Sequence, residues 1–333
     1  MNPSNGKPIP VPRLLGLLLV LLAMLASGCG RGERTELRLA INPWPGHEFL
    51  FLAREKGFLG AEGLNVRLVE YSSLSDCRVA FESGQVDALA SSLIEVLQAR
   101  ENSQRHPQIV LVTDYSNGAD VILARPELAS VSALKGRRVG LELGALGGFI
   151  LGRALELQGL KLSEVQLVSC TPGTLEAAFA SGEIDAAVTY PPTSIRLEAS
   201  GKMRRLFSSA DIPGEVVDIV AVDAPLLRRD PELPARLSRA LQQAQEYTRA
   251  HPQEAYAMMG RREGISAAEF EQALAGIQLV DAAGQRAFFG PKGSLPSSLR
   301  DVDRMLRATG QLRKSIPLTE LLPPVVANRG KRK

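Results

Sequence analysis

"FESGQVDA" fills residues 81–88, and "FASGEIDA" fills residues 179–186. Five of the eight positions are identical, and a sixth exchanges valine for isoleucine. Both copies read as the tail of a helix, a glycine that stops it and an apolar strand that follows. The surroundings line up as well. "LRLAI" (37–41) is a strand, "FLFLAREKGFL" a helix ending near Gly57, "NVRLVEY" (65–71) a strand, "DCRVAFESG" a helix and "VDALASS" (86–92) a strand. The order β-α-β-α-β recurs in "RRVGLEL" (137–143), "FILGRALELQG", "VQLVSC" (165–170), "TLEAAFASG" and "IDAAVTY" (184–190). Phe49 matches Phe149, Val66 matches Val165 and Phe81 matches Phe179, at offsets of 100, 99 and 98. Elements aligned in one order indicate a duplicated unit, hence two similar α/β halves with a crevice between them.

Strands alternating with helices predict an α/β fold in which each half is a mostly parallel sheet flanked by helices. "IVLVTDYSNGADVILAR" (109–125) lies between the halves, and "VVDIVAVD" (216–223) follows the second. The rest is mainly helical. "PELPARLSRALQQAQEYTRA" puts Leu233, Leu237, Leu241 and Ala244 on one stripe, and Ser266 with Glu269 forms a capping box. These helices are expected to pack back on the first half. The chain would then cross twice, near 122–126 and 217–221, giving 37–123 plus 219–325 as lobe 1 and 124–218 as lobe 2.

The 333 residues, 45% hydrophobic and 23% charged, suffice for about two domains. The net charge of +3 is small, and no basic stripe carries interleaved aromatics, so nucleic acid is not an expected partner. The basic tail, 326–333, reads as a frayed end. At the other end, Lys7 and Arg13 precede an apolar run from Leu14 to Ala26. The run is too short to span a bilayer and fits the core of an export signal, 1–28. "LASGCG" then resembles the bacterial lipobox, which implies lipidation at Cys29, a membrane anchor and a polar tether over 29–36. Cys77 and Cys170 fall in different lobes and read as separate buried thiols.

In open parallel sheets a ligand binds beyond the carboxyl ends of the strands, where helix N-termini present free N–H groups. The first half offers Trp44, Pro45, Gly46 and His47, then Ser73, Ser91 and Ser92. The second offers Ala145, Leu146 and Gly147, then Thr171 and Tyr190. Glycines permit close backbone approach, and small hydroxyls donate without bulk. Two of these positions have a second reading: Ser92 with Glu95 is a capping box, and Thr171 before Pro172 is an N-cap. Acidic residues cluster at strand ends: Glu48, Asp114, Asp120, Glu142 and Asp218. If several face the crevice, the ligand carries a positive group; if they pair with arginines such as Arg125, Arg137 and Arg138, it need not. Zinc, calcium, phosphate-loop and nucleophile-elbow motifs are absent, and only three histidines occur. No cofactor is expected.

The segments "LRLAINPWPGHEFLFLAREKGFLGAEGLNVRLVE", "AFESGQVDALASS", "LKGRRVGLELGALGG" and "AFASGEIDAAVTYPP" resemble periplasmic substrate-binding proteins of ABC importers. The branch is that of nitrate, sulfonate, taurine and thiamine-precursor binders, and the likeness runs from Leu37 to about Leu312. It implies a two-lobed type II periplasmic-binding fold that closes on a small solute as a monomer and delivers it to an ABC permease. It places Trp44, Pro45 and Gly46 in the first ligand loop, Ser73, Ser91 and Ser92 in the same lobe, and Ala145, Leu146 and Gly147 in the second loop. Tyr190 stands where many relatives carry tryptophan, so the ligand class is not carried over. Two other readings remain: an enzyme of pyrimidine- or quinone-precursor synthesis, with His47 or Glu142 as candidate catalytic residue, and a ligand-sensing subunit.

Overall fold

Asp87 and Asp185, the aspartates of the repeated octapeptide, grip equivalent arginines. The structure, a computed structural model, describes residues 36–290 and 292–323. In β1 (Leu37–Ile41), Arg38 pairs with Asp87 at 2.8 Å and its backbone N–H donates to the same carboxylate at 3.1 Å. In β6 (Arg138–Leu141), Arg138 does the same with Asp185, at 2.7 and 3.0 Å. Each fork-shaped pair ties a strand to the turn that launches its neighbour, which fixes register as well as adding energy. The copies agree further. Phe81 and Phe179 are buried under the guanidinium groups of Arg105 and Arg125. Gly84 and Gly182 hold φ of 78° and 76°, a left-handed helix stop that a side chain would strain. The repeat is therefore a structural device, and it carries no ligand chemistry itself.

The first sheet has six strands: β2 (Val66–Glu70), β1, β3 (Ala88–Ser92), β10 (Val217–Asp223), β4 (Pro107–Ser116) and β11 (Ile277–Leu279), in that order. The second runs β7 (Gln166–Ser169), β6, β8 (Ala186–Thr189), β5 (Val121–Ala124), β9 (Arg204–Ser208). β1 lies parallel to β2 and β3, and β6 parallel to β7 and β8. The remaining pairings are antiparallel, so each sheet is mixed: the expected parallel core is present, extended by the segments that cross between lobes.

The crossings come earlier than the apolar runs suggest. β5 belongs to the second sheet, so residues 121–123 leave lobe 1; β10 belongs to the first, so 217–218 leave lobe 2. Glycines set the breaks, Gly118 at φ 117° and Gly214 at φ 76°, while the apolar pattern continues past both. The two crossings are bonded to each other, the Ser116 N–H donating to the Val216 carbonyl at 2.9 Å, and the first is also tied to the turn after β9. Ser116 and Ser209 share a hydroxyl hydrogen bond of 2.7 Å, and the Gly118 N–H donates to Ser209 Oγ at 2.7 Å.

The outer face of the first sheet is covered as expected. Leu237, Leu241 and Ala244 of the helix Leu233–Ala250 pack with Leu39 and Ile41, each large side chain contributing roughly 1.5–3 kcal/mol. A second cluster passes through the interlobe region from Leu89 and Ile94 through Trp44, Leu146 and Tyr190, and takes in Leu299 and Val302 of the helix Leu295–Ala308. The C-terminal segment thus also touches lobe 2: a Cβ on Gly148 would meet Gln311 at 2.6 Å. Ser266 and Glu269 form their capping box, and Cys77 and Cys170 are buried free thiols. The export signal, Cys29, the tether and the basic tail's last eight residues lie outside the described residues.

Candidate functional site: an acidic cavity between the lobes

Asp114 on β4 stands directly opposite Asp218 on β10, and Asp218 stands opposite Ser92 on β3. Like charges at facing positions repel, so this placement works against the sheet unless something neutralises it. Asp120, from the first crossing, completes a trio of carboxyls that are each at most 3% exposed. Trp44 Nε1–H donates to Asp114 Oδ1 at 3.0 Å. Gly46 makes room for that contact, since a Cβ there would overlap the Asp114 carboxylate. In all three aspartates Oδ2 has no partner. Burial pushes Asp114 up to about 6 and Asp120 up to about 7. Asp218 is raised as well, by burial first and then by the charges of Asp114 and Asp120, so burial disfavours two charges on the facing pair.

Tyr190 closes the space from the second lobe. Its ring meets Trp44 edge-on, with centroids 6.0 Å apart and planes at 77°, and its buried Oη has no partner. Two adjoining cavities share Leu74, Asp120 and Tyr190. One, with room of about 10 Å³, about a single water, in the arrangement seen, is also lined by Glu142, Gly147 and Thr189. The other, of the same small size at about 10 Å³, is also lined by Asn42, Trp44, His47, Leu146 and Asp218. Neither is lined by lysine or arginine. His47 is fully buried with both ring nitrogens unpartnered, and burial, aided by Arg262, lowers its pKa to about 3. It is a neutral acceptor or donor here, not a cation.

Each lobe places a carboxylate on the other's helix. Glu142 Oε1, from lobe 2, accepts the N–H of Ser75 at 2.6 Å, in the first turn of the helix Leu74–Glu82, and also the Ser75 hydroxyl. Glu95 Oε1, from lobe 1, accepts the N–H of Leu146 at 2.8 Å, the first residue of the helix Leu146–Glu156. Glu95 Oε2 meanwhile closes the capping box with Ser92 and accepts from Ser91 Oγ at 3.3 Å. A carboxylate at a helix N-terminus satisfies orphan N–H groups and complements the dipole. The lobes are therefore bridged by protein groups in the arrangement seen.

Of the residues expected at the site, Trp44, His47, Glu142, Leu146, Gly147, Tyr190 and Asp218 line the cavities. Asp114, Gly46 and Pro45 lie behind Trp44, all buried. Ser73 caps the helix Leu74–Glu82, accepting from the Asp76 N–H at 3.2 Å, and Ala145 precedes the helix Leu146–Glu156. Ser91 and Ser92 are committed to Glu95. Thr171 is exposed and bonded to Thr174, while its neighbours Cys170 and Pro172 reach the cavity. Glu48 turns away: it is buried against Arg262 at 2.7 Å, and burial raises it to about 7. Thr189, at the same strand end as Tyr190, also lines a cavity, as the strand-end reading expects, whereas Asn42 and Leu74 were not anticipated. Asn42 directly follows β1, the signal that could have marked it; Leu74 opens the helix Leu74–Glu82. Among the described residues, no group of three or more His, Cys, Asp or Glu could hold a metal ion, and no helix is long and apolar enough to cross a membrane.

Comparison with known proteins agrees with this geometry. The family profile described as NMT1/THI5 like matches residues 44–255. A Brucella abortus protein, named as a binding protein, is 27% identical over 139 residues, 41% of this chain and 44% of its own length, so the chain spans less than half of that relative. The 4-amino-5-hydroxymethyl-2-methylpyrimidine phosphate synthase of Aspergillus parasiticus is 24% identical, over 64% of this chain and 66% of its own. Among solved structures, the alkanesulfonate-binding protein of Xanthomonas axonopodis pv. citri bound to MOPS superposes with a TM-score of 0.73 at 19% identity, covering 88% of this chain and 99% of that one. The two-lobed periplasmic-binding fold is thereby shown.

Proposed function

The chain belongs to the NMT1/THI5-like family, and from that premise we propose that it is the solute-binding component of an ABC import system. It captures a small molecule between its lobes and presents the closed form to a membrane permease. The observation that carries this reading is the pair of adjoining cavities beside the chain crossings, lined by unpartnered polar atoms from both lobes. Solute contacts from both sides favour the closed state by their differential affinity for it. Micromolar affinity requires roughly 8 kcal/mol, within reach of a few oriented hydrogen bonds and an aromatic pair. The apolar run at 14–26 and "LASGCG" support export and a lipid anchor at Cys29, which would keep the binder beside its permease.

The side chains favour binding over catalysis. His47, with a pKa lowered to about 3, is a poor general base at neutral pH. Cys170 reaches the cavity, but burial raises its thiol, which disfavours the reactive thiolate. The test is titration calorimetry of the purified protein with a panel of small amines, amidines, pyrimidines, sulfonates and nitrate, paired with small-angle scattering. Binding with a smaller radius of gyration is expected. Turnover of a pyrimidine precursor, or silence toward the whole panel, would overturn the reading.

A further inference from the structure

We propose that the cavity selects a small organic cation bearing two or more N–H donors, an amine or amidine head group, and rejects sulfonates, nitrate and other anions. This rests on the solute-binding reading and narrows it to one ligand chemistry. Three carboxyl groups line the space, Asp120, Asp218 and Glu142, with no lysine or arginine among the lining residues. Each presents an oxygen without a hydrogen-bond donor: Asp120 Oδ2, Asp218 Oδ2 and Glu142 Oε2. A buried acceptor left unpaired is costly, so a donor-rich guest restores what burial removes.

A second observation points the same way independently of the acids. The Tyr190 hydroxyl, on a side chain 9% exposed, borders both cavities without a partner, and its ring stands edge-on to Trp44. An aromatic pair beside carboxylates suits an organic cation, which the ring faces attract. Helix N-termini bind anions through free N–H groups, and two of those at the crevice, beginning at Leu74 and Leu146, already receive Glu142 and Glu95. The spread of the acceptors separates an organic cation from a metal ion: no group of three acidic or histidine side chains among the described residues converges to hold one. Asp218 borders one cavity and Glu142 the other, so a guest with separated donors that parts the lobes enough to occupy both meets an acceptor in each.

The experiment is titration calorimetry and melting-temperature measurement on the purified protein. The cationic probes are butylamine, 1,4-diaminobutane, acetamidine and agmatine. The others are ethanesulfonate, sodium nitrate, zinc chloride and calcium chloride. At least one organic cation is expected to bind and raise the melting temperature, and the anions are not. Asp120→Asn should weaken that binding by about tenfold or more, the size of a lost charged hydrogen bond, and Asp218→Asn, whose carboxyl burial favours in the neutral form, by about threefold or more. Tyr190→Phe keeps the ring and removes only the hydroxyl, so it gives a reading if an asparagine variant fails to fold; a loss of about threefold or more is expected. Tighter binding of an anion than of any cation overturns this inference and leaves the solute-binding reading standing. Binding of zinc or calcium alone, lost in Asp218→Asn, also overturns it. Unchanged cation affinity in all three variants overturns it. Silence toward every probe overturns both readings.

Discussion

Replacing Asp120 by asparagine removes a carboxyl that the fold holds against its own preference. Asp120 is 2% exposed, its Oδ2 has no partner, and burial raises it from an ordinary 3.8 to about 7. A carboxyl with a folded pKa above its unfolded value stabilises the fold while protonated. That contribution is whole below about 3.8 and is lost as pH rises through about 7. At about 1.4 kcal/mol per pH unit, ionising Asp120 in place costs about 4 kcal/mol at pH 8. Asparagine has nearly the same shape and cannot ionise. In the absence of solute, Asp120→Asn should therefore be more stable than the parent by up to about 4 kcal/mol at pH 8, roughly 8 °C in melting temperature, and equal to it near pH 4. Comparing the two proteins cancels His47, whose lowered pKa acts in the opposite sense in both. Thermal melts of parent and variant at intervals from pH 4 to pH 8 provide the assay. A variant that melts at or below the parent at pH 8, or a gap that does not change with pH, would refute the reasoning.

Other substitutions probe separate parts of the structure. Glu95→Ala removes a capping box and the bond to the Leu146 N–H; a loss of about 1–2 kcal/mol is expected by chemical denaturation, with a larger radius of gyration in scattering. Gly46→Ala should dislodge the Asp114 carboxylate from beneath the Trp44 loop, and a fall in solute affinity with a change in tryptophan fluorescence would show it. Phe81→Ala and Phe179→Ala, at equivalent buried positions, should each cost about 3–5 kcal/mol in urea titrations. A large gap between the two would mean that the repeat does not reflect equivalent packing.

The duplicated framework could be read from the chain because its restraints are local. Phe81, Gly84 and Asp87 lie within one octapeptide, and their copies lie within another, so the pattern survives without any knowledge of tertiary structure. The crossings were harder. Apolar residues run on through Val121 and Ile122, and hydropathy alone does not show where a strand changes sheets; Gly118 and the Ser116–Ser209 bond decide it. Trp44, Tyr190 and Asp218 could be singled out as strand-end residues of unusual type. Glu48 and Asp218 are both acids near strand ends, yet one meets Arg262, distant in sequence, and the other meets Asp114. Only the folded chain distinguishes a paired carboxylate from an unpaired one. Thr171 is itself exposed, while its neighbours Cys170 and Pro172 line the cavity, a difference of one residue that strand-end position alone does not show.

The exchange of carboxylates across the crevice makes the two halves mutually dependent. The helix beginning at Leu146 finds one partner for its first amide on the opposite lobe, and the helix beginning at Leu74 has the same debt in return. Prised apart, each half exposes a frayed helix start to water and leaves a glutamate without its amide. Opening is therefore resisted by the protein's own groups, Glu95 and Glu142, in the arrangement seen.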